Sequence, residues 1–260
     1  MIMHRYFIEM AYNGNKYHGW QVQPNAISVQ EVMDDALLKA LRQQVHVVGA
    51  GRTDTGVHAS YFVAHFDSET PIEDMDRVLY KINRILHDDI VVYTIKEVNT
   101  EAHSRFSASS RKYFYYIKTQ KGPFSNDLTH RPYHELDFEM MNRAAQILFE
   151  YDDFTSFSKL HTDTKTNFCK IMQAEWIKQA DKMVFVIKAD RFLRNMVRAI
   201  VGTLMDIGRG KLSIDEFRQI IEAKDRGAAG ASAPPQALFL ADIEYPQELF
   251  QSQLTKIPPL

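Results

Sequence analysis

Twice along this chain, apolar alternation with the two-residue period of a strand gives way to the 3.6-residue period of a helix, in the same order each time. Residues 4–12 place Tyr6, Ile8, Met10 and Tyr12 on one face of a predicted strand. Ser28, Val29, Gln30 and Glu31 form a capping box, and Val29, Val32, Met33, Ala36, Leu37, Ala40 and Leu41 follow at helical spacing. Val45–Val48 and Tyr61–Phe66 read as short strands. Thr70 to Glu73 reads as a second capping box with Pro71 at the first helical position. Met75, Val78, Leu79, Ile82, Ile85 and Leu86 mark the helix behind it, and Ile90–Val98 closes the set as a strand. The order is β-α-β-β-α-β, that of a ferredoxin-like unit.

The second half repeats it. Tyr113–Lys118 is an aromatic-rich strand, and Asp137 caps a helix running to Phe149. Cys169–Lys178 and Met183–Ala189 read as strands joined by a tight turn at Asp181. Phe192–Ile207 reads as a helix stopped by Gly208 and Gly210. Ser213 to Glu216 is a third capping box opening an extra helix, and Leu238–Glu244 is the last strand. The fold class expected is therefore α+β: two ferredoxin-like units packed with their sheets side by side, helices on one face. The division expected is residues 1–104 and 105–260. Asn13–Ile27 and the small-residue stretch Ala228–Pro235 are loops long enough to invite a functional reading.

Composition narrows the function classes. Of 260 residues, 45% are hydrophobic and 25% charged, an ordinary globular balance. Cys169 is the only cysteine, so the chain forms no internal disulfide and no cysteine-rich zinc site. Residues 1–7 carry no signal-peptide apolar region, and no apolar run approaches the roughly 18 to 20 residues a bilayer span needs. A cytoplasmic protein off the membrane is the expectation. The net charge of −2 means that any nucleic-acid binding must come from local clusters of Lys and Arg.

Three clusters carry chemistry. The densest is Gly49–His58, reading GAGRTDTGVH between two strands. Its glycines permit backbone conformations or close approaches that a side chain forbids, and Arg52 stands two residues from Asp54, close enough to hold a carboxylate ionised and aimed. From spacing alone the segment is either a polar hairpin turn or a catalytic loop. The required Gly-Lys-Ser/Thr ending of a phosphate-binding loop is missing. The second cluster runs from Arg105 to Tyr116, with Arg111 and Lys112 interleaved with Phe106, Tyr113 and Tyr115. Aromatic rings can stack on an unstacked base while Arg and Lys meet phosphate; the plain alternative is a core strand. The third is Arg191, Arg194 and Arg198, expected on one face of a helix, with Arg198 needing an acidic partner for which Asp54 is the candidate; the plain alternative is a solvated Arg face. No histidine pair has metal-ligand spacing; His161 and Cys169 stand apart, and no nicotinamide fingerprint occurs. A site without metal or cofactor is expected.

These clusters together resemble the TruA family of tRNA pseudouridine synthases over nearly the whole chain. Tyr12–Gln23 (YNGNKYHGWQVQ) is similar to the family's first motif, with Ser28 to Gln30 at the family spacing. Gly51–His58 (GRTDTGVH) is similar to its most specific signature, in which the Asp is the catalytic nucleophile. Arg105 to Ala108 and Arg111 to Tyr113 match the segment whose Tyr packs on the target base. Phe192–Gly202 matches the helix whose Arg pairs with the catalytic Asp, and Leu238 to Leu240 with Tyr245 and Pro246 match the closing strand. The resemblance implies that Asp54, Arg198 and Tyr113 are catalytic. It implies that Tyr113, Leu238, Arg52, Arg105, Arg111 and Lys112 bind substrate, with Arg191, Arg194, Arg209 and Lys211 as further candidates for phosphate. It also implies a homodimer that binds tRNA at the anticodon stem-loop. Two positions depart from the family pattern: Thr55 replaces a small alanine and is expected to crowd the turn, and Ala237 replaces a glycine before Leu238.

Overall fold

The computed structural model describes residues 3–124, 126–159 and 166–250; His161 lies outside them. In chain order the elements are β1 (His4–Tyr12), α1 (Val29–Leu41), β2 (Val48–Gly49), β3 (His58–Ser68), α2 (Met75–Ile85) and β4 (Ile90–Val98). Then come β5 (Ser110–Lys118), α3 (Phe138–Ile147), β6 (Ile171–Gln179), β7 (Lys182–Ala189), α4 (Met196–Gly208), α5 (Ile214–Ala223) and β8 (Leu238–Glu244). The chain divides into two compact units. One holds the residues up to Ser109 together with those from Leu240 onward; the other is Ser110–Phe239. β8 thus begins in the second unit and ends in the first.

In the first unit the strands lie in the order β4-β1-β3-β2, all antiparallel, which is the ferredoxin-like order. Helix α1 starts where Ser28 Oγ accepts a hydrogen bond from Glu31 N at 3.2 Å, and it buries Val29, Met33, Ala36, Leu37 and Ala40, one stripe of the helix. The capping box expected at Thr70–Glu73 does not form. Asp74 is the N-cap instead, accepting from Arg77 N at 2.8 Å, so the three residues after Pro71 stay outside the helix. Asp beats Thr here because its carboxylate both caps the amide and meets the positive end of the helix dipole.

Central strand β1 is buried on both faces rather than one: Tyr6, Ile8 and Met10 on one side, Phe7 and Glu9 on the other. The second side is covered by chain from beyond β4. Tyr245 meets Phe7 edge-on at 5.6 Å and donates its hydroxyl hydrogen to Ser104 O at 2.6 Å. Arg5 forks onto Asp67, its cross-strand partner, at 2.7 and 2.8 Å and gives a third bond to Ala102 O at 2.9 Å. His65 Nδ1 lies 2.8 Å from Ser104 Oγ, which itself donates to Val48 O at 2.7 Å. The segment after β4 is therefore fastened to the sheet by buried polar bonds and not left as a free tether.

The second unit repeats the arrangement, with β5, β7 and β6 side by side and antiparallel. α3 lies on this sheet through Phe138 against Trp176, and Asn142 exchanges two hydrogen bonds with the Trp176 backbone at 2.9 and 2.6 Å. Ser213 and Glu216 close the full capping box of α5. The helix expected from Phe192 starts only at Met196, because Asn195 sits in the left-handed region (φ 67°) and the chain before it forms a turn, Met196 N to Leu193 O at 3.1 Å. Arg191 and Arg194 consequently lie outside α4, and the expected stripe with Arg198 on one helical face does not exist. Among the described residues, no helix is long and apolar enough to cross a membrane.

The polar fastening gives a pH dependence. Burial first, then the charges of Arg5 and His103, push His65 down to about 4 from 6.5. His103 shifts the same way, burial again first. Below about pH 6.5 the unfolded chain takes up protons that folded His65 refuses until about pH 4, so stability is full above that window and falls on acidification through it. The loss expected from His65 between about pH 7 and pH 5 is about 2 kcal/mol. Urea unfolding of the native protein and of His65→Gln at both pH values checks this: the variant's pH dependence should be shallower by that amount.

Candidate active site

In the first unit, Asp54 sits in the connection between β2 and β3. Residues 54–57 form a turn closed by Val57 N donating to Asp54 O at 3.1 Å. Gly56, at φ +76°, takes the third position, where a type II turn demands a positive φ. Thr55 occupies the second position and is exposed.

What fixes the loop is a second loop pressed against it. A Cβ on Gly14 would lie 2.0 Å from Val57 O, and one on Gly19, at φ +85°, would lie 2.3 Å from Thr53 O. At that separation the backbones themselves are in contact, and no side chain fits between them. Hydrogen bonds lock the approach: Gly14 N to His58 Nδ1 at 3.0 Å, Gly56 N to Tyr17 O at 3.3 Å, and Tyr12 Oη with Thr53 Oγ1 at 2.9 Å. Behind them Trp20 packs on Phe62 with ring centroids 4.2 Å apart, and Tyr17 donates to Asp89 at 2.7 Å. Burial, then Asp89, pushes the Tyr17 phenol well above its usual range, so it remains a donor. Thr53 and Val57 are buried while Asp54 between them is half-exposed and Arg52 is exposed. The backbone of the loop is thus held rigidly from behind, and its acidic residue reaches the surface.

The second unit holds the other expected residues. In α4 every residue but Arg198 and Asp206 is buried, so Arg198 is a cation carried on a helix that is otherwise core. A stretch of small residues lies along that helix. Arg198 Nε donates to Ala233 O at 2.7 Å, Ala233 N donates to Arg198 O at 2.9 Å, and Gly230 N donates to Thr203 Oγ1 at 3.0 Å. Ala231 O comes so near Gly202 that a Cβ there would be 1.8 Å away. The composition of Ala228–Pro235 follows from this contact: only small side chains let the segment lie on the helix and grip Arg198 from one side.

Tyr113, on β5, is half-buried and meets Phe192 edge-on at 5.1 Å, with the ring planes at 88°. Leu238 is 4% exposed at the start of β8, behind the fully buried Ala237. Arg111 donates to Asp190 O at 2.9 Å, and Lys112 is half-buried on the strand face opposite Tyr113. Arg105 stands in the first unit, in the segment before β5. Of the further basic candidates, Arg209 is paired with Asp206 at 3.0 Å. Sequence reasoning missed Gly14, Gly19 and His58 as the supports of the Asp54 loop and Phe192 as the prop of Tyr113; the glycines were visible but nothing in a single sequence says what a glycine touches.

Burial pushes the Cys169 thiol up to about 12, which keeps it protonated at neutral pH. Among the described residues no group of three or more His, Cys, Asp or Glu side chains is placed to hold a metal ion.

The family described as tRNA pseudouridine synthase matches residues 9–107 and 144–246, which include the Asp54 loop, α4 and β8. The chain belongs to the tRNA pseudouridine synthase family. It is 58% identical over 252 residues to tRNA pseudouridine synthase A of Bacteroides fragilis, covering 96% of this chain and 100% of that one. It is 56% identical over 257 residues to tRNA pseudouridine synthase A of Bacteroides thetaiotaomicron, covering 98% and 95%. Further away, tRNA pseudouridine synthase A of Acetivibrio thermocellus is 42% identical over 238 residues, covering 90% and 96%.

The backbone contact behind Asp54 gives a direct prediction. Gly14→Ala should destabilise the protein by roughly 2 kcal/mol or more, because Val57 O must move. Gly51→Ala, whose Cβ would meet nothing within 4 Å, should leave the unfolding temperature close to that of the native chain. Calorimetry of both variants checks it, with amide exchange showing faster exchange at residues 53–58 in Gly14→Ala only.

Proposed function

We propose that this chain converts uridine to pseudouridine in the anticodon stem-loop of tRNA, with Asp54 as the nucleophile and no cofactor. Pseudouridine synthesis is an isomerisation. The C1′–N1 bond breaks, the uracil turns, a C1′–C5 bond forms, and the proton lost from C5 is balanced by one gained at N1. No electron leaves or enters, so the site needs only a positioned carboxylate, a clamp on the base and a way to shed water.

One observation carries the reading: the family's matching segment folds here into a loop whose backbone is pinned by a second loop while Asp54 between the buried Thr53 and Val57 stays half-exposed. A rigidly held reactive group is what positional catalysis requires. The remaining roles follow from chemistry. Tyr113 offers a ring to the flipped base, and stacking returns about 1–3 kcal/mol against an unstacking cost of a few kcal/mol. Leu238 supplies an apolar wall. Arg198 keeps Asp54 ionised as water leaves the site, offsetting the desolvation that would protonate it. Arg52, Arg105, Arg111 and Lys112 bind the tRNA backbone, with Arg191, Arg194, Arg209 and Lys211 as further contacts. The active form is a cytoplasmic homodimer with one tRNA bridging both subunits.

Incubation with unmodified tRNA, without metal or nucleotide, followed by position-by-position detection of pseudouridine, tests the substrate. Product confined to uridines of the anticodon stem-loop is expected, and its loss when those uridines are replaced by cytidine. Product elsewhere in the tRNA would overturn the assignment of position. Because the net charge is −2, affinity rests on local cations. Raising salt from about 50 to about 200 mM should weaken tRNA binding by about a thousandfold or more; a flat response would contradict an extended phosphate footprint. Arg198→Ala with full activity would exclude the ion-pair role.

A further inference from the structure

The segment that leads out of β4 ends in an arrangement that neither the fold nor the Asp54 loop requires. Phe106 is 76% exposed, yet it is not a loose side chain. The His103 ring lies against it with centroids 4.4 Å apart, and the Arg105 guanidinium carbon stands 5.6 Å from the centre of its ring. The backbone beneath is a closed knot. His103 Nδ1 accepts from both Arg105 N at 3.1 Å and Phe106 N at 3.3 Å. His103 N donates to Ser107 Oγ at 2.9 Å, and Ser107 N donates to His103 O at 2.9 Å. The knot is bolted to the sheet in turn. His65 packs edge-on against His103 at 4.6 Å, and Ser104, fully buried, is held by His65, Val48 and Tyr245.

Leaving the Phe106 ring in water gains the fold little of the free energy that burying it would give. An exposed aromatic ring on a rigid mount, with a cation beside it, is what single-stranded nucleic-acid sites use: the ring stacks on any base, and the cation meets the phosphate that comes with it. Two other exposed aromatics lack the combination. Tyr133 is 93% exposed and Tyr80 is 67% exposed, and neither has a cation over its ring among the described contacts. The occupant favoured by the neighbouring Arg105 is an anionic polymer with flat faces.

We propose that Phe106 is a stacking platform for a nucleotide of tRNA other than the target uridine, with Arg105 gripping the adjoining phosphate. This rests on the reading of the chain as an enzyme of tRNA and deepens it. A base drawn out beside the target would stay parked on Phe106 while the target occupies the pocket, so that the platform contributes to binding and to holding the loop open. It takes no part in bond making.

Phe106→Ala and Phe106→Trp, made in the full chain, test it against the native protein by tRNA binding and by single-turnover and steady-state pseudouridine formation. The expected result is tRNA binding weaker by about tenfold or more in Phe106→Ala. KM should rise with it and kcat change much less, with Phe106→Trp restoring both. Unfolding temperature should stay unchanged, since the side chain is exposed. Native-like binding and KM in Phe106→Ala would overturn the platform. So would loss of the oligomeric state in Phe106→Ala by light scattering, which would make the ring a protein contact. Absence of product from the native protein would instead strike the reading of the whole chain, which separates the two failures.

Discussion

The shape of the Asp54 loop depends on two backbones lying closer than side chains permit. The loop after β1 and the loop bearing Asp54 touch at Gly14 and Gly19, where an added Cβ would sit 2.0 and 2.3 Å from a carbonyl oxygen. A loop of Asp, Thr and Gly between two strands would by itself sample many conformations, and in the proposed reaction conformational freedom at Asp54 would subtract from rate. Here that freedom is removed from behind, by main-chain contact, the His58 bond and the buried Tyr12–Thr53 pair.

The second unit uses the same device with different parts. α4 is core on nearly every side, and a strip of small residues lies on it so closely that Gly202 cannot be replaced without moving Ala231. That strip takes the Nε hydrogen of Arg198, which fixes one edge of the guanidinium and directs the remaining donors. In both units a polar group with a proposed role in catalysis is carried on backbone held by close main-chain packing. Small residues are the means because only they let main chain approach main chain.

Much of this was legible in the sequence, and the misses have physical causes. β4, β8 and the capping box of α5 fall where the patterns put them, because period and cap are local properties. The start of α4 was misread. The residues from Phe192 have helical spacing, but Asn195 adopts a left-handed conformation that spacing does not report, and with it the basic stripe disappears. The Asp74 cap displaced the expected one because two acceptors lay within one turn and only the fold could choose. β1 looked one-sided because its covering, Tyr245 and the segment around Ser104, comes from far along the chain. Asp54 and Arg198 are singled out by their motifs. Their supports are not, since a glycine's meaning lies in its neighbour across space.

The central claim is that the chemistry resides in the Asp54 carboxylate. Asp54→Asn keeps the shape of the side chain and removes the charge. Pseudouridine formation on unmodified tRNA, measured for this variant beside the native protein with tRNA binding recorded for both, is the most direct test. Native-like folding and tRNA binding with no detectable product are expected from the variant. Product from Asp54→Asn at a rate near the native one would contradict the central claim and place the chemistry elsewhere.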